Sequence, residues 1–153
     1  MKTTAEIANL FDETKWGKDF ARQEVEIIAK YLSMHAYSKG EEIFRQGDKE
    51  RYMAFITKGR VDIIKESHDC LEKIVVTLSP RTHFGEMAFI DEEPRSASAI
   101  ARDDVNMLVL SRESFEHIAA THPAIGMKML RNIARMISQR LRMTTGKLVY
   151  TRE

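Results

Sequence analysis

A chain of 153 residues, 43% hydrophobic and 31% charged, has the size and composition of one globular domain with a real core, which excludes a disordered or fibrous chain. No apolar run approaches the ~20 residues of a membrane helix, and the N-terminal MKTTAEIANLFDETK lacks the apolar block of a secretory signal. The one cysteine, Cys70, cannot form an internal disulfide, so the chain reads as a cytoplasmic protein in a reducing compartment.

Residues 1–33 read as helical. Thr3 followed by Glu6 makes a capping box ahead of Ile7, Leu10 and Phe11. Gly17 interrupts, and a second helix is predicted from about Asp19 to Leu32. Ala21, Val25, Ile28 and Leu32 fall at helical spacing there, with Phe20, Ile27 and Tyr31 widening the apolar face. Residues 34–111 read as short strands: Met34–Tyr37, Glu42–Arg45, Tyr52–Thr57, Val61–Glu66, Leu71–Leu78, Ala97–Ala101 and Asn106–Ser111. Turn signals separate them at Lys39-Gly40, Gly47-Asp48, Lys58-Gly59, Ser67-His68-Asp69 and Ser79-Pro80. Strands this short at this spacing suggest a sandwich or closed barrel, not alternating βαβ units. Lys58-Gly59 is predicted to be a hairpin turn, since glycine accepts positive φ.

Residues 112–153 are helical again. Ser111 can cap a short helix through about Ala120, and Pro123 suits the first turn of a longer one. The long helix carries two apolar stripes. Leu130, Ala134, Ile137, Leu141 and Thr144 form a heptad seam of the kind that pairs two helices. Met129, Ile133, Met136 and Met143 form a neighbouring stripe that can pack on the body. Residues 121–153 also hold seven Lys or Arg against Glu153, a charge of +6 in a chain of net charge +1, leaving −5 on residues 1–120. Such a helix can meet nucleic acid, or lie against its own acidic body.

The informative stretch runs from Phe84 to Ala97: a strand end, a glycine, a very short helix at Met87–Ile90, an acidic turn, then Pro94-Arg95-Ser96 entering a strand. Gly85 permits close approach of a ligand to the backbone, and the helical turn after it exposes unpaired N–H groups. Arg95 offers a planar fork of donors suited to phosphate. Glu86 supplies acceptors for sugar hydroxyls. One acid for sugar, one arginine for phosphate and free amides between them describe a nucleotide pocket.

The stretch resembles the phosphate-binding cassette of the cyclic nucleotide-binding domain family, roughly F-G-E-x-A, a spacer, then P-R-S/T-A. The match falls on Phe84, Gly85, Glu86, Ala88, Pro94, Arg95, Ser96 and Ala97. The family's K-G-E-x-[I/L]-x-x-x-G-D is met by Lys39, Gly40, Glu41, Ile43, Gly47 and Asp48, and its hairpin glycine by Gly59. Phe89 stands where leucine is commoner, and Asp91-Glu92-Glu93 puts three acids beside an anion site.

The resemblance implies an α+β fold: an eight-stranded antiparallel β-barrel, or double-stranded jelly roll, with N-terminal helices and a long C-terminal helix. One domain would span 1–153, with helices in 1–33, the barrel in 34–111, the cassette at 84–97 and helices in 112–153. Glu86 would take the ribose 2′-hydroxyl and Arg95 the cyclic phosphate, the latter aided by the Ala88 and Ala97 amides and the Ser96 hydroxyl. Phe84, Gly85 and Met87 complete the expected pocket. The segment Arg140–Thr145 resembles the helix of catabolite activator-type members, which makes Thr144 or Thr145 a candidate for base contact; two helix-end threonines facing water, just before Gly146, is the plainer reading.

The histidines are scattered, without the spacings that gather a metal, and no nucleophile or phosphate-loop motif is present. The expectation is therefore a regulatory module, not an enzyme, needing no cofactor or metal. Its ligand would be cyclic AMP or cyclic GMP. It would signal through its C-terminal helix to a homodimer mate or a separate effector protein, with no DNA-binding domain in the chain and no membrane. A dimerising scaffold without nucleotide, or a nucleic-acid binder using the basic helix, is the alternative.

Overall fold

The protein is described by a computed structural model over residues 2–66 and 72–151. The predicted turn at Ser67-His68-Asp69, Cys70 and the predicted strand start at Leu71 lie outside the described residues. Helix α1 (Thr4–Asp12) begins at the expected capping box. The Glu6 amide donates to the Thr3 hydroxyl at 3.2 Å and the Thr3 amide to the Glu6 carboxylate at 2.9 Å, pairing two of the amides that every helix start leaves free.

A 3-10 turn, Gly17–Asp19, leads into α2 (Arg22–Ala29). This helix is shorter than the spacing predicts. Phe20 is extended (φ −123°, ψ 141°), which stops the turn before it, and Ala21 is the exposed, extended N-cap. At the other end the Lys30, Tyr31 and Leu32 amides bond three residues back, a tightening that closes the helix.

Eight strands follow: β1 (Ser33–Tyr37), β2 (Glu42–Phe44), β3 (Tyr52–Lys58), β4 (Val61–Glu66), β5 (Glu72–Leu78), β6 (His83–Phe84), β7 (Ser98–Ala101) and β8 (Val105–Ser111). Two corrections concern how they join. They form two antiparallel four-stranded sheets, in the orders β1-β8-β3-β6 and β2-β7-β4-β5, and no ladder closes them into a barrel among the described residues. The apolar faces are covered by stacking one sheet on the other, which needs no closed edge.

The predicted hairpin at Lys58-Gly59 is instead a crossing between sheets: β3 pairs with β6 and β8, and β4 with β5 and β7. Gly59 still requires its positive φ of 83°, and a Cβ there would stand 2.2 Å from the Asp104 carbonyl oxygen.

The central strands of the first sheet, β3 and β8, are buried on both faces and are apolar almost continuously. Met53, Phe55, Leu108 and Leu110 face the helices, together with Phe11, Ile28, Ile118 and Met129. Ala54, Ile56, Met107 and Val109 face the second sheet and meet Ile43, Phe44, Val61 and Ala99. Helices from both ends of the chain therefore rest on the sheet that carries β6, the strand leading into the candidate site.

Three helices complete the chain: α3 (Met87–Ile90), α4 (Arg112–Thr121) and α5 (Pro123–Thr151). The Ser114 amide donates to the Ser111 hydroxyl at 3.1 Å, which caps α4. Helix α5 starts at Pro123 and runs through Gly146, so that glycine is inside the helix and not at its end. No helix among the described residues is long and apolar enough to cross a membrane.

Candidate functional site

A cavity of about 780 Å³ opens between the cassette, the β4–β5 pair and the far half of α5. That volume lies in the range of small-ligand sites. Phe84, Gly85, Glu86, Met87, Arg95, Ser96 and Ala97 all line it. Opposite them stand Ile63, Val75, Val76 and Leu78 from the sheet and Arg140 and Met143 from α5. The side chains of Ala88 and Thr144 lie outside the described residues. Thr145 is exposed, donates its hydroxyl back to the Leu141 carbonyl at 2.9 Å, and is not among the lining residues.

Arg95 is 6% exposed. Its Nη1 donates to the Gly85 carbonyl at 3.0 Å and its Nη2 to the Tyr52 carbonyl at 2.7 Å. Its Cζ sits 4.1 Å from the ring centre of Phe44 and 4.7 Å from that of Tyr52. Burial pulls its pKa down, opposed by the nearby Tyr52, Glu50, Glu86 and Asp48. Among the described residues no carboxylate forms an ion pair with it, and Nε is buried without a partner. A buried cation bonded to carbonyls and stacked on two rings, with one donor unspent, has the chemistry to take an anion.

Gly85 makes that geometry possible. Its φ is +83°, and a Cβ there would come within 2.8 Å of Arg95 Nη1 and 2.9 Å of the Tyr52 carbonyl oxygen. The arginine loop is fixed from the other side by the glycine motif. The Arg95 amide donates to the Asp48 carbonyl and the Gly47 amide to the Arg95 carbonyl, each at 2.8 Å, while the Gln46 amide donates to Ser98 Oγ at 2.8 Å. The two sequence motifs are thus one structure, one holding the backbone of the other. Of the three neighbouring acids, Asp91 and Glu93 line the cavity, and the Asp91 carboxylate accepts the Glu93 amide at 3.1 Å, closing the loop.

Glu86 is 2% exposed. Arg140 Nη1 donates to its Oε1 at 2.6 Å, and His83 Nδ1 lies 3.7 Å from its Oε2. Burial disfavours the charged carboxylate, but the His83 ring, the Arg140 guanidinium and its own backbone amide outweigh this and hold its pKa below the ordinary value. Glu86 is therefore ionised at neutral pH, with Oε2 lacking a hydrogen-bond partner.

Arg140 and His83 are the side chains at the Glu86 carboxylate that sequence reasoning missed. Arg140 was visible only as one of several basic residues on a helix. Its place four residues before Thr144, hence on the same helical face, was the available signal. His83 carried no signal, because its burial comes from pairing opposite Phe55 across a two-residue strand. Among the described residues no group of three or more His, Cys, Asp or Glu is gathered as for a metal.

Comparison with known proteins adds independent findings. The family profile described as Cyclic nucleotide-binding domain matches residues 34–122. The Cyclic AMP receptor protein of Thermus thermophilus is 32% identical over 122 residues, covering 80% of this chain and 55% of that protein. Human cGMP-dependent protein kinase 2 is 33% identical over 107 residues, 68% of this chain and 14% of the kinase. The chain thus spans about half or less of these curated relatives. A cyclic nucleotide-binding domain from Methylobacillus flagellatus superposes with a TM-score of 0.82 at 27% identity, covering 95% of this chain and 82% of that one. The Thermus thermophilus Catabolite Activator Protein superposes with a TM-score of 0.76 at 31% identity, covering 84% and 59%.

Proposed function

Since the chain belongs to the cyclic nucleotide-binding domain family, which is regulatory and not catalytic, we propose that it is a cyclic nucleotide sensor whose output is the position of the far half of α5. The observation that carries this reading is the placement of two buried charges, Glu86 and Arg95, on one cavity with Gly85 between them. The cyclic phosphate takes the free Nε of Arg95 and the Ser96 hydroxyl, with the Ala88 and Ala97 amides. The ribose meets Glu86, and the base lies against Val75, Val76 and Met143. Named relatives include a cyclic AMP receptor and a cyclic GMP-dependent kinase, so either base is a candidate, and Ser96, which lines the cavity, would serve a guanine as well as a phosphate.

The ribose and α5 meet at the same carboxylate, since Arg140 already holds Oε1. Nucleotide binding therefore has different free energies in the two positions of α5, which is the requirement for a population shift. The first turns of α5 are fixed by buried Ile125, Met129 and Ile133. We accordingly place the moving part beyond Ile133, not at a hinge near Pro123. The seam residues Leu130, Ile137 and Leu141 are 40%, 37% and 65% exposed. An apolar strip of this length fits a second copy of the same helix, giving a two-fold homodimer as the receiver of the signal.

Titration calorimetry with cyclic AMP and cyclic GMP tests the reading. Arg95→Ala removes a charge-assisted bond of roughly 1.5–3 kcal/mol and should weaken binding about 10- to 150-fold. Arg95→Lys should recover part of that, because a point charge lacks the fork. Binding by Arg95→Ala within about a factor of two of the parent would remove the phosphate from this site. A second reading rests on Arg131, Arg135 and Arg142, which line a shallow hollow on the outer face of α5. Steeply salt-dependent DNA binding, in the absence of nucleotide affinity, would favour that face as the functional one.

A further inference from the structure

His83 lies on β6, two residues before Gly85, and is 8% exposed. Trp16 closes one side of its ring at 5.0 Å between centroids, edge to face, and Phe55 stands at 5.8 Å. Its Nδ1 is 3.7 Å from Glu86 Oε2, and both atoms are buried with no hydrogen-bond partner. Leaving a buried donor and a buried acceptor unpaired is costly, and more so when one is charged. A closure of about 0.7 Å would bring this pair to the ~3.0 Å of a hydrogen bond. Glu86 lines the cavity, and His83 stands behind it, at the other carboxylate oxygen from Arg140.

Resting on the nucleotide reading above, we propose that His83 is the positioning residue for Glu86: it donates from Nδ1 to Oε2, fixes the carboxylate against the ribose hydroxyls, and so sets how strongly the site prefers a ribonucleotide over its 2′-deoxy analogue. With Arg140 on one oxygen and His83 on the other, each oxygen keeps a second acceptor position for a sugar hydroxyl. Without His83 the carboxylate is held from one side only and can rotate about its last bond.

The chemistry of imidazole gives this role a signature. A protonated ring donates from both nitrogens, so Nδ1–H always faces Oε2. A neutral ring has one N–H, and the tautomer carrying it on Nε2 turns a lone pair toward the carboxylate. Ribose discrimination therefore rests on a hydrogen carried at Nδ1, which a side chain without a donor there cannot supply. The groups that face it are few. Trp16 and Phe55 are uncharged, Arg140 is bonded to the same carboxylate, and Arg95 stands behind the Gly85 carbonyl. Lys15 and Arg81, on the adjoining turn, are exposed.

The test compares the parent chain with His83→Asn and His83→Phe, using cyclic AMP, cyclic GMP and their 2′-deoxy analogues, with thermal melts as a check on folding. Asparagine places an amide donor near the Nδ1 position, and phenylalanine keeps the ring without a donor. The parent should prefer the ribonucleotide about 3- to 10-fold more strongly than His83→Phe does, the span of one hydrogen bond. His83→Asn should keep most of the preference, and His83→Phe should lose it. If His83→Phe does not fold, His83→Leu, also without a donor, gives the same reading. A folded variant without a donor that shares the parent's preference would overturn the role of His83 while leaving the nucleotide site intact. A parent that binds no nucleotide would overturn both.

Discussion

From Pro123 to Ile133, α5 belongs to the protein's core: Ile125, Met129 and Ile133 are 4%, 0% and 1% exposed, and Lys128 Nζ bonds Glu24 of α2 at 2.6 Å. From Ala134 onward the same helix leaves that core. Leu141 and Met143 are about two-thirds exposed, and a bond to the body runs through Arg140 to the cavity carboxylate. Gly126 shows how close the first half lies to its neighbour, since a Cβ there would be 3.0 Å from Ala119 Cα. The contrast shows how one continuous helix can serve two ends. Its own hydrogen bonds keep it stiff, so the half packed on the sheet supplies a fixed base and the half beyond meets the body at the cavity.

The contrast can be broken most forcefully through packing. Met129→Ala empties a fully buried site and should destabilise the protein by about 2–5 kcal/mol in urea unfolding. Leu141→Ala, on the exposed half, should stay within about 0.5 kcal/mol for the isolated chain. Equal losses at the two positions would mean that the far half is also core. Next in size is Arg140→Ala, which leaves Glu86 buried with one fewer partner. It should cost about 1–3 kcal/mol without nucleotide, and it should uncouple the amides of residues 134–143 from nucleotide addition in hydrogen exchange. If those amides respond to nucleotide as in the parent, Arg140 is not the link.

The same contrast separates what the sequence could say from what it could not. The capping box at Thr3 and Glu6, the Ser111 cap and the Pro123 start were legible because each is decided within one turn of chain. The cassette was legible because its residues are contiguous, and Arg95 and Glu86 do share a cavity. Sheet pairing was not, since Lys58-Gly59 suits a hairpin and a crossing equally well, and only the register of β3 with β8 decides between them. Nor could periodicity find β6, as two residues have no period. Arg140 and His83 reach Glu86 from 54 residues away and from the far side of a turn, and no local pattern encodes either contact.

Assembly sharpens the comparison at smaller cost to the monomer. Ile137 is 37% exposed on the half of α5 that leaves the core. Ile137→Glu should therefore change the stability of a single chain by no more than about 0.5 kcal/mol, yet place a charge against its own copy across a two-fold seam. Light scattering should then find the parent dimeric and Ile137→Glu a folded monomer. A parent that is monomeric at tens of micromolar, with and without nucleotide, would make the seam a face for something other than a second copy.

The smallest effect tests the fixed half. The bond from Lys128 and the Ala21 amide hold Glu24 below the ordinary carboxylate pKa, against the opposing pull of burial. A carboxylate whose pKa is lower folded than unfolded adds stability above its unfolded value and loses it as pH falls through the folded one. Because the Lys128 side chain is 41% exposed, solvent screens the pair and its worth at neutral pH is only about 0.2–1 kcal/mol. Lys128→Met keeps the stem that lies beside Phe20, 5.7 Å from the ammonium to the ring centre, and removes the charge. The stability gap between parent and Lys128→Met should be present at pH 7, narrow once the pH drops below about 4, and vanish when Glu24 is protonated in both states. A gap that stays constant down to that pH would show that the lysine acts by packing against α2 alone. The base of α5 would then be held by its apolar contacts and not by this charge pair.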